Sequence, residues 1–181
     1  MLIQITGDSI MNVPKIESYV ITSDYWGQLY KEHTDLLRLA QDKQLGTECA
    51  RVFDLNLKKL GSDFIGKPGD NRVLVSNFNT PHVIIHNHAD GSTISLEDFN
   101  SFLRRPHTFS IQAVSNGGTV FILEKLPQYN AVDAIKKYIS TLDKAYELLE
   151  KDADQVKIEE VVEGFLLSLN ENGFMYRRWE K

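Results

Sequence analysis

Apolar positions along the chain change period three times, and each change marks an element. Between Asp24 and Gln44, Leu29, Leu36, Leu37, Leu39 and Ala40 recur near helical spacing. The spacing predicts a helix there, with Gly46 placed to end it. His33, within this helix, is expected to face solvent. The segments ECARVFDL (48–55) and LGSDFIG (60–66) then read as strands, the second able to pair back onto the first. KPGDN (67–71) reads as a turn, and VLVSNF (73–78) fits a short helix or a strand equally well. HVIIHNH (82–88) follows Pro81 and is rich in β-formers. Ser95 opens a helix with Leu96, Phe99, Phe102 and Leu103 on its inner face. FSIQAVS and TVFILEK flank Asn116-Gly117-Gly118, a hairpin signal.

Beyond Pro127 the period becomes helical again. Asn130 can cap a helix whose apolar positions are Val132, Ile135, Tyr138, Ile139, Leu142, Ala145 and Leu149. A second helix runs from about Val156 to Leu169 and stops at Asn172-Gly173, with Ile158, Val161, Val162, Phe165 and Leu169 inward. Both apolar faces are expected to lie in the core. Tyr176 and Trp179 in the tail are expected to pack on the body or on a partner. The pattern describes one domain in three parts: an N-terminal arm (1–45), a strand-rich core (46–126) and a helical extension (127–181).

Composition narrows the function classes. Of 181 residues, 42% are hydrophobic and the net charge is −5, with a pI near 5.5. No concentrated basic face suggests a nucleic-acid partner. No segment resembles a signal peptide or a membrane span, so a cytoplasmic setting is expected. The single cysteine, Cys49, excludes an internal disulfide and a four-cysteine zinc site. Cys49 is expected on the face opposite Glu48, as a core residue rather than a nucleophile.

The candidate chemistry sits in HNHADGSTISLED (86–98). Residues two apart on a strand share a face, so His86 and His88 project together, about 7 Å apart along the backbone. Imidazoles placed so can converge on one ion. Ser95 and Asp98 form a capping-box pattern with Asp in place of Glu. Asp98 can instead supply a third metal ligand, and one carboxylate cannot do both in full. Three ligands with an open fourth position describe a catalytic zinc site. Asp90-Gly91 is expected to be a turn, and His107 a loop histidine.

These residues resemble the motif of the JAMM/MPN+ (JAB) metallopeptidases, H-x-H-P followed by a spaced S-x-x-D. The contiguous His86-Asn87-His88 and the Ser95…Asp98 ending are most similar to the bacterial RadC-type and phage-associated versions. The resemblance spans about residues 46–126. It implies an α/β fold, a curved mixed sheet flanked by helices in a JAB/MPN-like, cytidine-deaminase-like architecture, with the arm and the C-terminal helices added. It implies zinc held by His86, His88 and Asp98, and Ser95 donating to the tetrahedral intermediate. It also implies a glutamate general base from an earlier strand. Glu48 is the best match for that base, with Glu17, Glu32 and Asp54 as rivals. Ala89 stands where the family usually has proline, and the His88–Ser95 loop is one residue shorter than the common eukaryotic form. The implied activity is hydrolysis of a peptide or isopeptide bond, on a peptide or protein substrate that a ubiquitin-like conjugate exemplifies. The alternatives are a non-catalytic scaffold or peptide-binding module of the same architecture, and a hydrolase acting on a small molecule. A contiguous His-Asn-His does not make an HNH endonuclease, a cupin needs a glutamate at another offset, and amidohydrolase barrels need a longer chain.

Overall fold

A computed structural model describes residues 2–70, 72–151 and 155–181. Its centre is a six-stranded mixed sheet flanked by helices. The strands are β1 (Cys49–Asp54), β2 (Phe64–Ile65), β3 (His82–His88), β4 (Thr108–Ser115), β5 (Val120–Lys125) and β6 (Phe174–Trp179), in the spatial order β2-β1-β3-β4-β5-β6. Only β3 and β4 pair in parallel; the other neighbours are antiparallel. The parallel pair needs a crossover, which α3 (Leu96–Arg104) supplies.

Every residue of β3 is buried, as a central strand covered on both faces requires. Alternation divides the side chains between two cores. Val83, Ile85, Cys49 and Phe53 join α2 (Trp26–Gln41) on one face. Ile84, Val52, Ile111 and Phe121 join α3 and α5 (Gln155–Ser168) on the other, where Phe99 meets Phe165 and Phe174 edge to face. Among the described residues the other α-helices are α1 (Gly7–Asn12) and α4 (Ala131–Glu150). Among the described residues no helix is long and apolar enough to cross a membrane.

Several expectations change. The segment 73–78 forms neither helix nor strand. The tail is a full strand: Tyr176 pairs with Leu123 and is 2% exposed. The N-terminal segment packs onto the sheet through α2, and α1 sits against the β4–β5 turn. There Gly118 has φ +101°, and a Cβ would stand 2.5 Å from the Ser9 carbonyl oxygen, so only glycine meets both demands.

The α4 stripe is the largest departure. Ala134, Thr141 and Ala145 face the core, whereas Val132, Ile135, Ile139 and Leu149 are exposed. Periodicity identified the stripe correctly but not what covers it.

His33 is also buried rather than solvated. Its Nε2 meets Gln112 Oε1 at 2.7 Å. Burial lowers its pKa to about 4, against which the Gln112 bond works only weakly. A folded pKa below the unfolded value near 6.5 means that His33 contributes stability fully above pH 6.5. That contribution is lost as pH falls toward 4. The loss is about 1.4 kcal/mol per pH unit, roughly 3 kcal/mol in all. Denaturant titrations between pH 7 and 4.5 are expected to show a shallower fall for His33→Gln than for wild type; parallel slopes would refute this role.

Candidate metal centre

The extended β3 backbone directs His86 and His88 to the same face, and both are buried. The turn that follows brings α3 back over them. Asp90 Oδ1 accepts from Ser92 N (3.0 Å) and Ser92 Oγ (2.7 Å), and Gly91 takes φ +82°. This is the Asx turn expected of Asp-Gly. It aims the Ser92 carbonyl at His88, whose Nδ1–H donates to it at 3.0 Å. Nδ1 protonated in this way leaves the Nε2 lone pair free for an ion.

Ser95 caps α3. Its Oγ accepts from Asp98 N at 3.0 Å, while Asp98 Oδ2 accepts from Ser95 N (2.9 Å) and Ser95 Oγ (2.6 Å). The capping and the candidate ligating roles expected of Asp98 fall on one oxygen, Oδ2. The same Oδ2 lies 3.6 Å from His86 Nε2 and 3.3 Å from His88 Nε2. The two Nε2 atoms are 2.8 Å apart. The donor atoms of His86, His88 and Asp98 thus all fall within 4.8 Å of one another, a group able to hold a metal ion.

These separations fit the ion well. Ligands about 2.0–2.1 Å from a tetrahedral centre stand about 3.3 Å apart. Two of the three edges match, and the His–His edge needs to open by about half an ångström. Two imidazole nitrogens and one carboxylate oxygen are a donor set used by zinc. The Nδ1 of His86 is buried without a partner among the described residues, so the imidazole is positioned by packing and by the contacts of its Nε2 with His88 and Asp98.

The charges are coupled as a cation site requires. Burial acts against ionisation of Asp98, but the His86 and His88 imidazoles outweigh it and hold the carboxyl well below its usual range. Burial likewise opposes protonation of His88, and the facing Asp98 carboxylate outweighs it, taking the pKa to about 9. The cluster therefore attracts positive charge, which a proton or a divalent cation can supply in competition.

Glu48 lies just before β1 and is 8% exposed. The β1–β3 register pairs Ala50 with His86, and Glu48, two residues before Ala50, lines the same cleft as both histidines. Burial raises the Glu48 pKa, with His86 and His88 acting in the opposite sense. The rivals are otherwise engaged: Glu32 pairs with Arg51 at 3.2 Å, Asp54 Oδ1 accepts from Asn56 N and Lys58 N, and Glu17 is exposed. Cys49 points into the opposite core, where burial lifts its thiol to about 11. His107 is exposed. His82 bonds Thr80 O and Thr108 Oγ, away from the cluster.

Asn87, between the histidines, was not anticipated. Its Oδ1 accepts from Cys49 N at 2.7 Å, and its Nδ2 donates to Asn116 Oδ1 at 3.0 Å. Asn116 in turn donates to Ile3 O at 2.8 Å. This chain fixes the start of β1, and with it the backbone that carries Glu48. An amide in an apolar strand was the signal for it, since a buried amide must find partners.

Glu48, His86, His88 and Asp98 share a cleft of about 730 Å³ with Ile84, Ile111 and parts of α4 and α5.

No family model matches this chain, nor does any curated protein or solved structure. The site's chemistry therefore rests on its own geometry.

Proposed function

We propose that this chain is a zinc-dependent hydrolase that cleaves a peptide or isopeptide bond, with an architecture of the JAMM/MPN+ (JAB) kind. One observation carries the reading: three metal-competent donor atoms converge on an accessible cleft. A buried carboxylate of raised pKa, Glu48, lines the same cleft. That combination matches the requirements of metal-assisted hydrolysis, a ligand set plus a separate general base.

His86, His88 and Asp98 hold the ion. Zinc there supplies Lewis acidity and lowers the pKa of water toward ~7. Glu48 takes a proton from the attacking water. A C–O bond forms at the substrate carbonyl, and Glu48 then returns the proton to the departing amine as the C–N bond breaks. A carboxylate whose pKa is raised toward the working pH suits both steps. Ser95 has two tasks. In the resting site it orients Asp98 through the 2.6 Å bond; during turnover its hydroxyl turns to the developing oxyanion. The substrate is a peptide or a protein tail.

The test is a cleavage assay on zinc-loaded chain with linear and isopeptide-linked peptides. Hydrolysis is expected, is expected to stop when 1,10-phenanthroline removes the metal, and is expected to return with added zinc. A loaded chain that cleaves neither class contradicts the reading.

A further inference from the structure

The α4 stripe left exposed by the fold does not end in open solvent. Its C-terminal half enters the cleft that holds the histidines: Leu142, Tyr146 and Leu149 line it, joined by Ile158 and Val162 of α5. Tyr146 is 63% exposed and Leu149 54%. Contiguous apolar surface of this kind next to a polar site marks a place where something apolar is received.

Among the described residues, the charged groups at the outer rim of the cleft have partners. Arg72 pairs with Glu97 at 3.0 Å. Arg105 donates to Ser101 Oγ and to the carbonyls of Val75 and Ser76. Glu159 accepts from Gln155, and Asp90 from Ser92. Desolvating a charged side chain against Leu142 and Leu149 is unfavourable, so the α4–α5 wall favours apolar ones. A cleft of about 730 Å³ matches a few side chains of an extended chain and is too small for a folded domain.

We infer that the α4–α5 wall is a substrate subsite that receives large aliphatic or aromatic side chains of an extended peptide whose scissile bond lies at the histidine cluster. This inference rests on the hydrolase reading for its orientation, but binding tests it without turnover. The probes are two blocked peptides, Ala-Leu-Phe-Ala and Ala-Asp-Ser-Ala. Methyl NMR of the full chain follows Leu142, Leu149, Ile158 and Val162. These methyls are expected to shift with the first peptide and to stay in place with the second. Tyr146→Asp and Leu149→Glu are each expected to raise the apparent Kd about tenfold or more, as loss of one buried apolar side chain implies. Leu167→Glu changes an equally exposed α5 residue outside the cleft (53% exposed) and is expected to bind as wild type.

Unmoved methyls, equal shifts with both peptides, unaffected Tyr146 and Leu149 variants, or equal weakening by Leu167→Glu would overturn the subsite. A chain that binds the apolar peptide without cleaving any peptide keeps the subsite and loses the hydrolase. A chain that cleaves without regard to apolar residues does the reverse.

Discussion

Glu48→Gln is expected to retain zinc at wild-type affinity and to lose about 10²–10⁴ in kcat, the range a positioned general base contributes. The substitution is nearly isosteric, so the 8% exposed site keeps its packing. What disappears is the ability to carry a proton between water and the leaving amine. The raised pKa of Glu48, caused by burial, makes this carboxylate better suited to the exchange than a solvated one. KM is expected to change little, because Glu48 does not belong to the apolar wall. Steady-state kinetics alongside zinc quantification separates the outcomes. A variant that turns over at the wild-type rate removes Glu48 from the mechanism, and one that loses zinc makes it a ligand instead.

His88→Ala is expected to weaken zinc binding by more than about 100-fold, beyond what loss of an outer-shell partner produces. Turnover falls with the metal. His88 is well organised as a candidate ligand: its Nδ1–H is fixed on Ser92 O, and its Nε2 faces both His86 and Asp98. The effect on folding is expected to be smaller, since Ile84, Phe99 and the rest of that core are untouched. Competition titration with a chromophoric chelator measures the affinity. Unchanged affinity in His88→Ala would place the ion elsewhere.

Much of the site was legible because short-range geometry determines it. Period-two alternation in HVIIHNH decides that His86 and His88 share a face. The Ser95-to-Asp98 spacing decides that the carboxylate folds back over the first turn of α3. The sheet was readable in the same way from β1 to β5, whereas β6 was not. FMYRRW carries two arginines that break the apolar alternation, and its strand exists only because β5 offers an edge to pair with. That is a long-range condition, invisible in a local pattern.

His33 shows a different failure. Leu29, His33, Leu36, Leu37 and Ala40 lie on one helical face, and all five are buried. The position gave the burial away; the polarity of the residue argued the other way. What allows it is Gln112 on β4, a partner some eighty positions along the chain. The α4 stripe fails in the opposite direction. Its 3-and-4 spacing promised a core face, and Tyr138 and Ala145 do pack inward, but the other core contacts fall to Ala134 and Thr141 while Val132, Ile135, Ile139 and Leu149 stay exposed. Small residues let α4 approach the body closely, and of the larger apolar ones only Leu142, Tyr146 and Leu149 reach the cleft.

The most direct measurement is zinc binding by the metal-stripped chain, with X-ray absorption at the zinc edge to read the ligands. One zinc per chain is expected, with two imidazole nitrogens and a carboxylate oxygen at about 2.0–2.1 Å. A chain that takes up no stoichiometric zinc, or one whose zinc spectrum is unchanged in the His86→Ala/His88→Ala double variant, contradicts the assignment.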